Sequence, residues 1–388
     1  MHRTAHWVKA ARDNVVRVGL VSAGLVSIAL ACSDDPSAGS SGTGGSSTGG
    51  SHAANTGGGA AGTGGSTTGG SGATAGSAAT SGGGGQAGTG AVGGTGGAPA
   101  NVPSIAGCPV FTPEDDWNLD ISHAPVSDVW TQRLLDEVGD IRLHPDFGNW
   151  ETEQYGIPIN VVPADQPMVP VVFDWWEEES DPGPYPFPDP GEVLIEGGNP
   201  TDCAGDCHVL VVRQQECKLY EGFGCRYDNQ WHCGNGAVWD LTGLSYGQRP
   251  SGWTSADAAG LPIAPGLIRY DEVHAGEIKH AIRFTLACTR SNYVKPATHH
   301  AGNCGDAEHH PPMGMRVRLR ADFDIAGFGP TARVILKAMK TYGMILADNG
   351  SDFYFQGEVH PGWDDDVNEL EQVPVSAFEV LEPPPFGP

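Results

Sequence analysis

The residues that could do chemistry are concentrated between Trp253 and Phe284, where carboxylates stand close to a histidine and an arginine. Asp257 and His280 are candidates for a general acid and base, because such groups can exchange a proton when strands bring them together. Glu272 is a further carboxylate candidate in the same stretch. The alternative is structural: Asp257 caps a short turn and His280 forms a hydrogen bond at a strand end. We therefore predict Asp257, Glu272 and His280 as catalytic residues within a stretch that is otherwise strand framework.

Aromatic and polar side chains near this stretch are predicted to bind substrate. Flat rings beside carboxylates suit the apolar faces and hydroxyl groups of sugars, although aromatic residues also fill ordinary cores. The two-residue period of a strand places His280 and Arg283 on opposite faces, so a simple His–Arg pair is not expected. The predicted substrate-binding residues are Trp253, Arg283, Tyr293, Asp348 and Trp363.

Carboxylates are numerous enough to supply a catalytic pair. Glycoside cleavage typically needs two carboxyl groups, roughly 5–10 Å apart. The pool for such a pair is Asp257, Asp271, Glu272, Asp348 and Asp364, each of which also suits a solvated turn. The sequence contains no G-x-S-x-G, H-E-x-x-H, phosphate-loop or dinucleotide-binding motif, which disfavours the enzyme classes that carry them.

Metal binding is weakly indicated, and we predict no metal and no cofactor. Two histidine pairs, His299–His300 and His309–His310, could hold zinc, but adjacent histidines rarely point the same way. We interpret this segment as a solvent-exposed loop. The stretch DNGSD at Asp348–Asp352 weakly resembles a calcium loop but lacks the later glutamate. Calcium therefore stays a weak possibility.

The elements expected to position these residues are mostly strands, separated by turns rich in glycine and proline. Two helices are predicted, Asp128–Val138 and Pro330–Tyr342, and a hairpin is predicted with Asn349-Gly350 at its turn. The predicted fold is mainly β, a sandwich or jelly roll with a few short helices. The predicted strands are Ile157–Val162, Val169–Phe173, Val193–Ile195, His208–Arg213, Cys217–Tyr220, Ala237–Asp240, His280–Leu286, Met315–Leu319 and Phe353–Gln356.

The chain is strongly acidic, with a net charge of -26, and three of its 47 acids precede residue 101. Such a surface repels phosphate backbones, so nucleic acid is excluded as a partner. Residues 101–388 are long enough for one folded domain with a substantial core.

The N-terminus predicts export. A basic segment precedes the apolar run from Val18 to Ala31, which is too short to span a bilayer and is typical of a signal peptide. Residues 32–100 are rich in glycine, serine and threonine and are predicted to be a disordered tether. The domain prediction is therefore a signal peptide at 1–31, a tether at 32–100 and a mainly β domain at 101–388.

Cysteines agree with export. Eight of them follow Cys32, an even number that indicates disulfides in an exported domain. Five lie between Cys203 and Cys233, so one must pair outside that group; Cys108 is the natural partner if Cys288 pairs with Cys304. The connectivity is left open. The candidates are Cys108, Cys203, Cys207, Cys217, Cys225, Cys233, Cys288 and Cys304.

Two resemblances add to these patterns. Cys32, directly after Leu30-Ala31, resembles the lipidated cysteine of bacterial lipoproteins, with Ala29 where that motif usually has leucine. Ser33 resembles the pattern for outer-membrane sorting; an ordinary signal peptide is the alternative. The strings WTSADAAGLPI, PGLIRYDEV, HAIRF, PPMG-x-R-x-RL and YGMILADNGSDFYF resemble a family of exported actinobacterial and myxobacterial proteins over nearly all of residues 105–380. The resemblance implies an exported domain, and no catalytic residue is carried over from it.

Together these observations predict a lipid-anchored protein of the bacterial envelope that contacts the membrane only through its N-terminal anchor. Its predicted activity is carbohydrate cleavage, by a glycoside hydrolase or a polysaccharide lyase that uses an acid/base pair. The alternatives are a non-catalytic glycan-binding or adhesin-type lipoprotein and a structural envelope protein. Several acids and histidines converging at one place would favour the enzyme.

Overall fold

The computed structural model describes residues 102–150, 153–305 and 307–386, all of which fall in one compact unit. The predicted signal peptide, Cys32, the whole of the predicted tether and Asn101 lie outside these residues. Within the described ranges, every helix is too short or too polar to cross a membrane.

The fold is mainly β with a few short helices, as predicted. Eight of the nine predicted strands form with ends shifted by three residues or fewer; the largest shift is in the Cys217–Tyr220 strand, which extends to Phe223. The strands are β1 (Ser104–Ile105), β2 (Cys108–Pro109), β3 (His144–Asp146), β4 (Gly148–Trp150), β5 (Glu153–Tyr155), β6 (Ile159–Val162), β7 (Val171–Phe173), β8 (Val209–Arg213), β9 (Lys218–Phe223), β10 (Arg226–Tyr227), β11 (Trp231–Cys233), β12 (Asn235–Asp240), β13 (Ile282–Leu286), β14 (Arg316–Leu319), β15 (Met344–Asn349), β16 (Tyr354–Gln356) and β17 (Phe378–Val380).

Both predicted helices form. Helix α1 (Asp128–Val138) buries Trp130 and Leu134 on one face and ends at Gly139, where a positive φ of 72° favours glycine. A short helix α2 (Tyr270–Ala275) was not predicted, and α3 (Pro330–Thr341) begins at a proline, which suits the first turn of a helix. Short 3-10 turns cover Glu177–Glu179, Ala264–Gly266, Asp365–Gln372 and Val375–Ala377.

Two larger sheets share one core. The six-stranded sheet has the order β17-β14-β15-β13-β16-β3, and every residue of β13 is buried. The four-stranded sheet has the order β12-β9-β8-β6. Leu210 and Val212 of β8 pack in the same core as Phe284 of the larger sheet, which makes the arrangement sandwich-like.

The four-stranded sheet is buried on both faces. Val209 and Val211 alternate with Leu210 and Val212 and enter a second cluster around Tyr185, together with other aromatic residues and cysteines. This layer explains why HVLVVR is almost continuously apolar, since both strand faces meet protein rather than water.

The predicted hairpin at Asn349-Gly350 is wrong. β15 and β16 do not pair with each other, because β13 lies between them, parallel to β15 and antiparallel to β16. The connecting residues cross the end of β13, where the N–H groups of Gly350 and Phe353 donate to the carbonyls of Leu286 and Thr285.

The predicted strand at Val193–Ile195 is also wrong. The side chain of Asn160 takes the place of a neighbouring strand: its Nδ2 donates to the Leu194 carbonyl at 2.7 Å and its Oδ1 accepts from the Leu194 N–H at 2.8 Å. The backbone polar groups are therefore satisfied without a ladder, while Val193 and Ile195 are buried as core residues.

The eight predicted cysteines form four disulfides, Cys108–Cys217, Cys203–Cys207, Cys225–Cys233 and Cys288–Cys304. Cys108 is indeed the outside partner for the group of five, while Cys288 pairs with Cys304. Such a set is compatible with an extracytoplasmic location.

Candidate functional site

Five carboxylates from distant parts of the chain meet around one arginine and one histidine. Because each of these seven residues interacts electrostatically with at least one other, we call them the acidic cluster. The strand ends β3, β13 and β15, the loop before β8 and the turn around residue 257 supply its members. They are Asp146, Glu196, Asp206, His208, Asp257, Arg283 and Asp348.

Arg283 and Asp257 form the buried floor of the cluster. Arg283 donates through Nε and Nη2 to the two carboxylate oxygens of Asp257 at 3.1 and 2.9 Å, and both residues are almost fully buried. Its Nη1 donates to Gln356 Oε1 at 2.6 Å. Burial disfavours the guanidinium charge, but Asp257 outweighs it and raises the pKa of Arg283. Two charge-assisted hydrogen bonds fix the Asp257 carboxylate against Arg283, so we assign Asp257 a positioning role.

Asp348 lies at the partly exposed side of the cluster. Its Oδ2 lies 3.6 Å from Arg283 Nη2, and its side chain keeps 24% of its surface exposed. Burial and the nearby charge of Asp257 raise its pKa well above the usual range, although Arg283 opposes the shift. A protonated carboxyl group that water can reach has the properties of a general acid.

Glu196 and His208 form an ion pair beside it. Glu196 Oε2 lies 2.5 Å from His208 Nδ1, and His208 Nε2 lies 3.2 Å from the Ala256 carbonyl. With an acceptor at each ring nitrogen, the imidazole is held in its doubly protonated form. Burial alone would lower the pKa of His208, but Glu196 raises it to about 9. Burial alone would raise the pKa of Glu196, but His208 lowers it.

Asp206 and Asp146 complete the carboxylates. The side chain of Asp206 is exposed to solvent. Desolvation by neighbouring protein atoms nevertheless raises its pKa, and the charge of His208 opposes that rise. Burial also raises the pKa of Asp146, despite a hydrogen bond from Gln356, its neighbour across the β3–β16 pair.

An aromatic surface adjoins the cluster. The ring of Phe223 lies 5.5 Å from that of His208 and packs against Trp175 and Trp176 at 5.7 and 6.2 Å. Trp175 is 42% exposed. Its ring lies so close to Gly234 that an added Cβ there would stand 2.1 Å from it, so only glycine permits this placement. We call Trp175, Trp176 and Phe223 the aromatic platform.

The structure places the other predicted catalytic residues in a separate buried network. Glu272 accepts from Arg269 at 2.5 Å, and its second oxygen lies 3.0 Å from His280 Nε2. His280 is fully buried. Asp257 and His280 therefore each have another partner, and the contacts do not bring the two together.

The predicted substrate-binding residues divide in the same way. Arg283 and Asp348 belong to the acidic cluster. Trp253 is half-buried, with the Arg249 guanidinium carbon 5.5 Å from its ring centre. Tyr293 and Trp363 are buried, which suits core residues better than a sugar surface.

Glu196, Asp206 and His208 were not identified from the sequence. Their only local signal is a histidine and two acids around the closely spaced Cys203 and Cys207, directly before an apolar strand. The disulfide between these cysteines fixes the loop that carries Asp206.

The two acids of the DNGSD stretch, which weakly resembles a calcium loop, accept hydrogen bonds from backbone N–H groups. Asp348 Oδ1 accepts from the Asn349 N–H at 2.7 Å, and Asp352 accepts from the Ala287 N–H at 2.8 Å. Among the residues that the structure describes, the acidic cluster does not gather three ligand atoms around one point.

Comparison with known protein-family models, curated proteins and solved structures found no match. The function therefore has to be inferred from the site itself.

Proposed function

We propose that the chain is a glycoside hydrolase that acts outside the cytoplasm, with the acidic cluster as its active site. The observation that carries this proposal is the pair Asp348 and Glu196, whose surroundings shift their pKa values in opposite directions within one partly exposed cluster. Two carboxyl groups whose pKa values are shifted in opposite directions are suited to the acid and base roles of glycoside cleavage.

In this mechanism Asp348 is the general acid. Its raised pKa favours the protonated form, and its exposed edge lets a glycosidic oxygen approach. When the proton leaves, Arg283, 3.6 Å away, stabilises the resulting carboxylate.

Glu196 is the general base or nucleophile. Its lowered pKa keeps it ionised, and 27% of its side chain is exposed. His208 holds one carboxylate oxygen, which orients the group. Asp206 lies within electrostatic range of Glu196 and supplies additional negative charge that favours a positively charged, oxocarbenium-like transition state.

The charge of the cluster argues against a polyuronate as substrate. Five carboxylates face two cationic side chains, and each cation is already paired, Arg283 with Asp257 and His208 with Glu196. A lyase must neutralise the carboxylate of its uronate, and neither cation is available for that task. The proposal is therefore a hydrolase of neutral or cationic glycans, with sugar rings stacking on the aromatic platform.

The proposed location is the outer membrane, with Cys32 as the lipidated residue and residues 32–100 as the tether. Four disulfides support an exported domain, while the anchor rests on the sequence pattern alone. The proposed partner is an extracellular polysaccharide.

The test is activity of the purified full-length protein, disulfides intact, on neutral glucans, chitosan and polyuronates, with and without calcium. Reducing-end release and unsaturated-product absorbance are followed together. We expect release from a neutral or cationic glycan, and a fall in kcat of about 10²-fold or more in Asp348→Asn and Glu196→Gln. Asp202→Asn, an exposed acid of the same disulfide segment, is the matched control and should retain full activity.

The other outcomes are distinct. Retention on an insoluble glycan without product would replace the hydrolase by the glycan-binding alternative. Unsaturated product from a polyuronate would identify a lyase. Hydrolysis that survives in both variants would show that the acidic cluster is not the active site.

A further inference from the structure

We propose that Glu137, His309 and His310 bind a zinc ion that fastens the loop preceding β14 to helix α1. Across residues 102–150, 153–305 and 307–386, this is the group in which three metal-ligand side chains come together, with all ligand atoms within 4.8 Å of one another. The site is independent of the proposed hydrolase, since none of its residues belongs to the acidic cluster.

The spacing of the ligand atoms fits tetrahedral zinc. Glu137 Oε2 lies 3.0 Å from His310 Nδ1 and 3.4 Å from His309 Nε2. Ligands about 2.0–2.1 Å from a tetrahedral ion lie roughly 3.3 Å from one another, so a small adjustment would accommodate the ion. One ring presents Nδ1 and the other Nε2, which lets two adjacent histidines converge although their backbones point differently.

The ligand chemistry selects the metal class. Two imidazole nitrogens and one carboxylate suit zinc and similar first-row divalent ions, whereas calcium and magnesium prefer oxygen ligands. The sulfur of Cys288 lies 3.2 Å from His310 Nδ1, but it is bonded to Cys304 and has no thiolate to offer. Three protein ligands leave a fourth position for water.

The site is accessible from solvent yet well supported. His309 is 52% exposed, while Glu137 and His310 keep only 15% and 12% of their side chains exposed. Glu137 sits in the last turn of α1, which fixes its backbone, and one turn earlier Arg133 pairs with Glu308 of the loop at 3.0 Å. An ion can therefore enter from the side of His309.

The same loop reaches the acidic cluster at its other end. The Ala301 carbonyl accepts from Asn349 Nδ2 at 2.6 Å, and Thr289 donates to Asn349 Oδ1 at 2.7 Å. Asn349 directly follows Asp348. A zinc ion at His309 and His310 would thus restrain a segment that supports the neighbour of Asp348.

The other histidine pair takes no part. His299 Nδ1 lies 2.8 Å from the Ala258 carbonyl. In the sequence, His299 lies between Cys288 and Cys304, whereas His309 follows Cys304. The four histidines that the sequence offered as zinc ligands thus lie in two separate places. At the proposed site, Glu137 of α1 is the third ligand in place of the His299–His300 pair.

The test is zinc binding to the full-length protein after removal of metal with a chelator, followed by calorimetry and by the shift in melting temperature. We expect one zinc per chain, a higher melting temperature with zinc, and no competition from calcium. Glu137→Gln and His309→Ala should each weaken binding at least about 10-fold, and His309→Ala/His310→Ala should abolish it.

The matched control is His232→Ala. His232 lies 3.2 Å from Asp174 and 3.1 Å from Gln230 and is not one of the three proposed ligands, so its loss should leave the zinc affinity unchanged. His309→Ala alters the more exposed histidine and keeps the fold, which separates lost binding from misfolding. Binding that persists in the double variant, or that falls equally in His232→Ala, would overturn the proposal. Hydrolase activity is not a readout here, so the two proposals fail independently.

Discussion

At the scale of single residues, Arg283 determines how the acidic cluster is organised. It is almost fully buried, satisfied by Asp257 and Gln356, and close enough to Asp348 to influence its protonation. A buried cation of this kind is tolerated only because its partners are fixed. The roles of the surrounding carboxylates follow from their distance to it: Asp257 is paired, whereas Asp348 remains accessible.

This arrangement predicts a large loss of stability in Asp257→Ala. The variant leaves the Arg283 charge buried with an incomplete set of acceptors, and breaking a buried pair in this way costs about 3–5 kcal/mol. The measurement is urea-induced unfolding of both proteins. Asp322→Ala removes the exposed partner of Arg320 and should cause no measurable change. Equal stability of Asp257→Ala and wild type would contradict the ion-pair interpretation.

A second prediction concerns Glu221, whose buried carboxylate accepts from the N–H groups of Ile263 and Ala264 and from Trp239 Nε1. Burial outweighs these hydrogen bonds and raises its pKa to about 7 from 4.5. The folded state therefore binds this proton more tightly than the unfolded state. Its contribution to stability is complete below pH 4.5 and falls as the pH rises to about 7.

The expected size is on the order of 3 kcal/mol between those pH values. It is measured as the difference in unfolding free energy between wild type and Glu221→Gln, which cancels the titration of all other groups. A difference that stays constant from pH 4.5 to 7 would show that Glu221 titrates normally.

The sequence identified part of the site at this scale. Asp257, Arg283 and Asp348 could be selected because acids and an arginine stand near predicted strands. Glu196 and Asp206 could not, because their approach depends on a small disulfide loop and on strand pairing with residues far along the chain. His280 lies outside the acidic cluster, because its buried side chain pairs with Glu272 instead.

At the scale of elements, the disulfides differ in whether they mainly restrict the unfolded chain or fix local geometry. Cys108–Cys217 closes a span of 109 residues, whereas Cys203–Cys207 closes a span of 4. Loop-closure entropy grows with span, so the long closure should restrict the unfolded chain far more than the short one. The short closure instead fixes the local geometry of Asp206.

We therefore expect Cys108→Ser/Cys217→Ser to lower the unfolding free energy by about 5 kcal/mol and Cys203→Ser/Cys207→Ser by about 2 kcal/mol. Activity at a temperature where both variants are folded should fall mainly in the second. Denaturant unfolding and reducing-end release provide the two readouts. A larger loss of unfolding free energy in Cys203→Ser/Cys207→Ser than in Cys108→Ser/Cys217→Ser would contradict this interpretation.

Most elements could be predicted because their periodicity is local: the apolar face of α1 and the β-branched run of β8 are visible in a few residues. The partners of β15 and β16 could not be. Asn349-Gly350 is a good local turn signal, but burial of β13 between two strands stabilises the fold more than a hairpin of marginal strands would.

At the scale of the whole molecule, the layers and the charge act together. The four-stranded sheet, buried on both faces, lies between the shared core and a second cluster that contains disulfide-bonded cysteines. The acidic cluster is built from β3, β13 and β15 of the six-stranded sheet, the loop before β8 and the turn around residue 257. A net charge of -26 keeps the chain apart from anionic polymers, in agreement with a neutral or cationic substrate.

The pairing of β3 with β16 has a further consequence for when the acidic cluster can fold during synthesis. Asp146 meets Gln356, which in turn holds Arg283, so two distant parts of the chain meet at the acidic cluster. A chain that emerges from its N-terminus during synthesis cannot assemble this cluster until Gln356 has arrived. For the proposed exported hydrolase, activity would therefore begin only after almost the entire polypeptide has crossed the membrane.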